Sequence, residues 1–213
     1  NYIKILQEAL LSNLKNHNFF CSRDLSVAQN VSNTANIDVL KQTNILGVFD
    51  NKGEFVGKTL YAKTLDNKKN VSAQILAVEN LKDKNGNINV VNELYVKESL
   101  NLDNSNVQAG HKITTSVSDI ALDKADIKTP SWQLDNLKKL SFSGNTKVSA
   151  LLKSELQSIS LSDDHEAETK LLGLDKFFAD GNMFYLDEND ILLFKTEEGV
   201  HALSGINSTK SVK

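Results

Sequence analysis

The sequence predicts an α+β protein: a helical N-terminal arm, an antiparallel β section built from hairpins, and a C-terminal section that mixes helices and strands. Three observations predict this class. Apolar residues at the start of the chain recur at helical spacing, those of the middle alternate with polar ones between glycine turns, and leucines at helical spacing return after Pro130. We divide the chain into an arm (1–43), a β-rich section (44–129), an α/β section (130–206) and a polar tail (207–213). The alternative joins 44–206 into one domain.

The amino-acid composition limits the classes of partner that the protein can bind. The 213 residues include 40% hydrophobic and 24% charged residues, enough for a buried core, and the formal net charge is −3. Arg23 is the only arginine, and arginine is the residue that most often reads guanine edges and phosphates. We therefore expect no nucleic-acid partner. A single cysteine, Cys21, excludes an internal disulfide.

The arm begins with an apolar helical stripe that carries Leu6, Leu10 and Leu14. No capping residue precedes the stripe, so we expect native sequence before Asn1. We predict that the three leucines bind a protein partner, including another copy of the chain. Membrane association is expected only through a segment upstream of Asn1. Turn-rich sequence closes the arm after a second short helix, predicted up to Gln29.

Two similar stretches dominate the β section: "DNKGEFVGKTLYAK" from Asp50 and "DKNGNINVVNELYVK" from Asp83. Each combines an Asp-x-x-Gly turn with a Leu-Tyr-apolar-Lys end. Gly53 and Gly86 are expected to supply the positive φ of a three-residue hairpin loop. The distance from Asp to Tyr differs by one residue between the two stretches. This favours two hairpins of one sheet over a clean duplication.

A six-residue periodicity offers an alternative for the second stretch. Two series, Ile88, Leu94, Leu100 and Val90, Val96, Leu102, each advance by six residues. Short β-rungs that stack in fibres and solenoids repeat in this way. Because the periodicity is short, we prefer two strands with a kink between them. After Gly110, Ile113 and its alternating neighbours predict one more strand.

The C-terminal section is predicted to hold three helices followed by strands. Ser131 caps the first, "KVSALLKSELQSI" forms the second, and a capping box of Asp163 with Glu166 opens the third. The sequence "NMFYLDENDILLFKTEEGVHALSGI" predicts two or three strands. Its turns are expected at 187–189 and 197–199.

Catalytic motifs are absent from the sequence, so we expect a non-enzymatic protein without a cofactor. There is no G-x-S-x-G, P-loop, G-x-G-x-x-G or H-E-x-x-H pattern. The weak metal candidates are Asp187, Glu188 and Asp190 in one acidic turn, and His165 among the acids of "DDHE". The alternative interpretations are a solvated turn and a helix cap.

Trp132 is the remaining candidate residue. A lone tryptophan can anchor a protein partner, or it can belong to the core. A helical stem that leads into a β head resembles pilin-type and other appendage subunits in architecture. We therefore expect a structural or adhesive subunit of a bacterial surface assembly, outside the cytoplasm. The alternatives are a cytoplasmic or phage-derived tail or secretion-machine component, and a hydrolase whose site no motif reveals.

Overall fold

The structure is a β-solenoid, a coil of parallel strands stacked rung upon rung, with one short helix at its N-terminus. The computed structural model describes residues 2–143, 146–153, 158–161, 177–179, 182–186, 192–196, 199–204 and 208–212; for 142, 143, 149 and everything after 150 it describes the backbone alone. Parallel pairing of consecutive strands contradicts the predicted antiparallel hairpins, so the α+β prediction is wrong. The alternative drawn from the six-residue periodicity is correct.

The described residues form one helix and nineteen strands. Helix α1 spans Tyr2–Asn16. The solenoid strands are β1 (Phe19–Cys21), β2 (Leu25–Val27), β3 (Val31–Asn33), β4 (Ile37–Asn51), β5 (Glu54–Asn67), β6 (Asn70–Lys84), β7 (Asn87–Asp103), β8 (Asn106–Ala109), β9 (Lys112–Thr115), β10 (Asp119–Asp123), β11 (Asp126–Leu134), β12 (Lys139–Ser143), β13 (Lys147–Lys153) and β14 (Ser158–Leu161). A separate antiparallel sheet contains β15 (Phe177–Ala179), β16 (Asn182–Leu186), β17 (Leu192–Thr196), β18 (Gly199–Ser204) and β19 (Ser208–Val212).

Each rung has three sides, and the first two rungs show this most clearly. Strands β1, β2 and β3 pair in parallel with three successive parts of β4: Phe19 with Ile37, Leu25 with Thr43, and Val31 with Phe49. The paired positions advance by six residues in both rungs. We call the three sides face 1, face 2 and face 3, marked in β4 by residues 37–39, 43–45 and 49–51.

Later rungs repeat this register. On face 1, the residues stacked in register are Ile37, Phe55, Val71, Ile88, Val107 and Ile127. The steps between them vary from 16 to 20 residues, as their numbers show. The faces keep their alternation of inward and outward side chains, and the corners absorb the extra or missing residues.

The core is the set of inward side chains stacked between rungs. On face 2, Leu60, Leu76 and Leu94 follow one another in register, and each is at most 1% exposed. Phe49 and Phe55 meet edge to face, with ring centroids 5.7 Å apart. A Cβ atom on Gly57 would lie 2.8 Å from the Phe55 ring, so glycine provides the space for that ring. A solenoid is stabilised because the inward side chains of each rung are buried against those of the neighbouring rungs.

A buried polar ladder crosses the rungs at the end of face 3. Asn51 donates a hydrogen bond to Asn67 (Nδ2–Oδ1, 2.6 Å), and Asn67 donates one to Asp83 (Nδ2–Oδ1, 2.5 Å). All three side chains are fully buried. Burial raises the pKa of the Asp83 carboxyl, and the hydrogen bonds that it accepts offset this only in part. The hydrogen bonds along the stack compensate part of the cost of burying these amides and the carboxyl, while Asn51 Oδ1 and Asp83 Oδ2 accept no hydrogen bond.

The predicted hairpin glycines occupy corners of the solenoid. Gly53 and Gly86 both lie outside the left-handed region of positive φ, so the predicted reason for them is wrong. A Cβ atom on Gly86 would collide with the Asp83 side chain and lie 2.8 Å from the Lys69 carbonyl oxygen. Close approach of the backbone, rather than positive φ, requires glycine there. The positive φ at that corner belongs to Asn85, at 59°.

Strands replace most of the predicted helices. The short helix expected before Gln29 is β2, the helix expected from Ser131 is the end of β11 followed by β12, and the next helix is β13 and β14. The boundary predicted near Thr129–Pro130 falls inside β11. The capping box of Asp163 and Glu166 lies outside the described residues. The predicted strand at Ile113 and the strands of 182–204 are confirmed, and the predicted polar tail contains β19.

Candidate functional site

Helix α1 covers the first rung of the solenoid and is fixed there at its C-terminal end. Leu14 is fully buried, and Leu10 and Leu11 pack partly against the core. The Lys15 carbonyl accepts hydrogen bonds of 2.9 Å from both the amide and the hydroxyl of Thr34. The helix therefore caps the open end of the stack, the position where a solenoid needs a cap.

The N-terminal half of the same helix carries exposed apolar side chains. Ile3 is 74% exposed and Leu6 is 61% exposed, and Tyr2 and Ile5 lie beside them. Ile3, Leu6, Leu10 and Leu14 follow helical spacing, so they form one continuous apolar stripe. The C-terminal end of this stripe is buried in the solenoid and its N-terminal end is left open.

The three leucines predicted to bind a partner are thus separated by the structure. Leu6 is exposed, Leu10 is partly buried, and Leu14 belongs to the core of its own chain. The prediction for Leu14 is wrong, because a spacing that places residues on one helix face does not say what covers each of them. Ile3 and Tyr2 take its place in the exposed stripe.

Trp132 is a core residue, so it presents no exposed ring to a partner. It is fully buried on face 2 in register with Ile113, and its Nε1–H donates a hydrogen bond of 3.1 Å to the Thr115 hydroxyl. Burial of the ring together with a partner for the indole N–H is the usual solution for an interior tryptophan. The partner-anchor interpretation is therefore wrong.

The predicted metal candidates lie outside the described residues; they are Asp187, Glu188, Asp190 and His165. Within the residues that the structure describes, no three His, Cys, Asp or Glu side chains are grouped closely enough to hold a metal ion.

A cleft with tyrosine walls lies on the outer surface of face 2. Tyr61 is in register with Ala77, and Ala77 with Tyr95, so two tyrosines flank a small residue across three rungs. Both tyrosines are 39% exposed. The depression around them has a volume of about 490 Å³. Its further lining residues include Asn44, Lys63, Glu79 and Lys97.

One of the two tyrosines, Tyr95, has hydrogen-bonding and charged neighbours. The Tyr95 hydroxyl donates a hydrogen bond to the carboxylate of Glu93, which also lies 3.8 Å from His111 Nε2. Lys63, Glu79 and Lys97 follow the inward residues of the three rungs by one position, so they form an outward row beside the tyrosines. Within the described part of the chain, these three side chains form no ion pair.

Face 3 carries a small charged cluster around Asp50. Asp50 contacts Lys52 at 2.6 Å and Lys68 at 2.8 Å, and Lys68 also reaches Asp66 at 3.4 Å. Partial burial raises the pKa of Asp50, but the hydrogen bonds and charges of the two lysines outweigh it and leave the pKa below its ordinary value. All of these groups are partly exposed, so the cluster contributes little to stability.

A depression of about 840 Å³ lies between face 2 and face 3 and is lined by residues of both charge signs, among them Lys82, Asp103 and Asp119. Asp103 is paired with Lys84 at 3.1 Å. The lining also contains buried apolar side chains, among them Leu81, Leu100 and Leu122.

The tyrosine cleft was not predicted, although its signal is present in the sequence. The two Leu-Tyr-apolar-Lys segments, 60–63 and 94–97, are its outer rungs, and "LAVE" at 76–79 is the rung between them. Leucine and the apolar residue point inward, and tyrosine and lysine point outward. The segments can be recognised as neighbours only once the rung length is known.

No known protein family model matches the chain, and no curated protein or solved structure is similar to it at a significant level. Among the described residues, no helix combines the length and the apolar character needed to cross a membrane.

Proposed function

We propose that the protein is a non-enzymatic structural or adhesive subunit of a larger assembly, of the bacterial surface or appendage type. The solenoid is its rigid body, and α1 joins it to another copy of the chain. The observation that carries this proposal is the exposed stripe of Tyr2, Ile3, Ile5 and Leu6. Soluble monomers rarely leave contiguous apolar patches open, and such patches commonly mark interaction sites.

The position of the stripe supports this role. The helix is fixed to the first rung through Leu14 and the hydrogen bonds of Lys15, so its exposed half is held at the end of the solenoid. An apolar stripe at an end allows two copies to meet without covering the faces. A two-fold axis through such a stripe brings the same residues of both copies together. In this arrangement the three faces stay available to other partners.

We expect the doubly substituted chain Ile3→Glu/Leu6→Glu to be monomeric at protein concentrations at which the unchanged chain forms dimers or larger species. Four buried carboxylates in a pair of copies cannot be accommodated in an apolar contact. The measurement is the mass in solution across a concentration series, by sedimentation equilibrium.

Lys4→Glu is the matched control. It also changes the net charge by two negative units, it lies on the polar side of the same helix, and its side chain is exposed. This variant should associate as the unchanged chain does. A chain that is strictly monomeric at every concentration, or a loss of association that is equal in the control, would contradict self-assembly through α1.

A further inference from the structure

We propose that the tyrosine cleft of face 2 is a carbohydrate-binding site that holds one pyranose ring of an uncharged glycan between Tyr61 and Tyr95. This goes beyond the assembly role of α1 and does not depend on it. Three features of the cleft suit such a ligand: the spacing of the two aromatic walls, the chemistry of the rim, and the rigidity of the solenoid that holds both.

The spacing of the walls fits one ring. Neighbouring strands in a sheet lie about 4.8 Å apart, so residues two rungs apart are separated by roughly 9.6 Å. Tyr61 and Tyr95 are two rungs apart in register, and only the methyl group of Ala77 lies between them. A sugar ring centred over Ala77 then lies about 4.8 Å from each tyrosine, within the distance range of ring contacts. The partly positive C–H groups of a sugar face are attracted to the negative face of an aromatic ring.

The rim favours a ligand rich in hydroxyl groups. Lys63 and Lys97 can only donate hydrogen bonds, whereas the Glu79 carboxylate between them can only accept them. Asn44, also in the lining, can do both. A sugar hydroxyl donates and accepts, so a glycan satisfies every member of this row.

A proline-rich peptide, the other common ligand of aromatic grooves, fits this rim less well. Proline has no backbone N–H, so such a peptide offers the Glu79 carboxylate few donors. The Tyr95 hydroxyl, which could donate to a peptide carbonyl, already donates to Glu93. The volume of about 490 Å³ also lies within the range of small-ligand sites.

The solenoid holds this site in place before any ligand arrives. Leu60, Leu76 and Leu94 precede the three cleft residues and are buried to at least 99%. Each wall therefore stands on a fully packed rung. A site that is already formed loses little conformational entropy on binding.

The experiment is isothermal titration of the full chain with cellohexaose, chitohexaose and maltohexaose in turn. We expect at least one of these oligosaccharides to bind. Tyr61→Ala and Tyr95→Ala should each weaken that binding about tenfold or more, which corresponds to the loss of one aromatic contact of about 1.4 kcal/mol. Tyr61→Phe and Tyr95→Phe keep the ring and should stay within about threefold of the unchanged chain. Their folding is checked by thermal melting.

Phe20→Ala is the control for non-specific contact, because Phe20 is an exposed aromatic residue of β1 that does not line the cleft. It should leave the binding unchanged. The proposal is overturned if none of the three oligosaccharides binds, or if the alanine variants bind as the unchanged chain does. It is equally overturned if only a proline-rich peptide binds at these tyrosines. Failure here leaves the mass measurements on α1 unaffected, so the two proposals fail separately.

Discussion

Trp132→Ala is expected to lower the free energy of unfolding by about 3–5 kcal/mol, the usual cost of removing a large buried aromatic side chain. Among the described residues, Trp132 has the largest of the fully buried side chains. It is stacked in register on Ile113. A rung inside a solenoid cannot collapse onto the cavity without disturbing the rungs above and below, so little of the cost is relieved. The change would be measured by urea denaturation followed by circular dichroism.

Two further variants separate burial from other effects at this position. Trp132→Phe keeps most of the ring volume and loses the hydrogen bond to Thr115, so its cost should fall to about 1–3 kcal/mol. Gln133→Ala changes the next residue, which points outward, and should cost less than about 1 kcal/mol. An exposed Trp132 on a helix, as the partner-anchor interpretation requires, would instead give a small cost for Trp132→Ala and no difference between the variants.

Leu76→Ala is expected to cost about 2–5 kcal/mol of unfolding free energy. Leu76 is fully buried and lies between Leu60 and Leu94 in the same inward column. The cavity would open in the middle of the stack, where leucine packs on leucine from both sides. Each kcal/mol should appear as a decrease of about 2–4 °C in the melting temperature of a chain of this size.

Ile75→Ala provides the matched control because it removes a similar apolar volume one residue earlier. Ile75 is only partly buried and points outward from face 2. Its cost should stay below about 1.5 kcal/mol, since only a partial burial is lost. Equal costs at positions 75 and 76 would contradict the alternation of inward and outward side chains on which the solenoid depends.

Part of the fold could be predicted from the sequence, and the failures have a common physical cause. The amphipathic helix, the β character of 45–128 and the strands of 182–204 follow from local periodicity. The direction of strand pairing does not, because a corner of a solenoid uses the same Asp, Asn and Gly residues as a hairpin turn. The sequences "DNKG" and "DKNG" therefore predict a chain reversal equally well when the chain in fact continues around the rung.

The repeat is not evident from the sequence because the number of residues in a rung varies. Inward residues are six apart in β4 and β7, as at Ile88 and Leu94, but five apart in β5 and β6, as at Leu60 and Leu65. Inward polar residues such as Asn67 interrupt the apolar pattern as well. Sequence after Pro130 predicted a helix because Leu134, Leu137 and Leu140 are three residues apart, which also satisfies helical spacing. These residues form strands because they stack on the preceding rung, and this stacking outweighs their local preference for a helix.

The candidate sites depended on the fold in the same way. The shared helix face of Ile3, Leu6 and Leu14 follows from the helix pattern. Which of the three is buried follows from the rung that the helix covers. Tyr61 and Tyr95 are 34 residues apart in the sequence, and they form one cleft because two rungs span that distance. Such a pair is invisible until the register of the rungs is known.

Every site described above depends on the parallel stacking of rungs, and disulfide formation between neighbouring strands can detect that stacking. Ser72 and Asn89 are register partners on the outer surface of face 1, so their Cα atoms are expected about 4.8 Å apart, within the range that a disulfide bridges. An antiparallel hairpin with the three-residue loop Lys84-Asn85-Gly86 would instead place Ser72 opposite Glu98. In the solenoid, Glu98 lies beside Asn80, whose Nδ2 donates a hydrogen bond of 3.4 Å to its carboxylate.

The measurement is the extent of intramolecular disulfide formation under mild oxidation at low protein concentration, read by mass spectrometry after thiol labelling. Both pairs are made in a Cys21→Ser background to remove the native thiol. The solenoid predicts that Ser72→Cys/Asn89→Cys crosslinks nearly completely in the folded protein and that Ser72→Cys/Glu98→Cys stays reduced. The reverse result, a crosslink between positions 72 and 98 and none between 72 and 89, would contradict the parallel rungs and every site built on them.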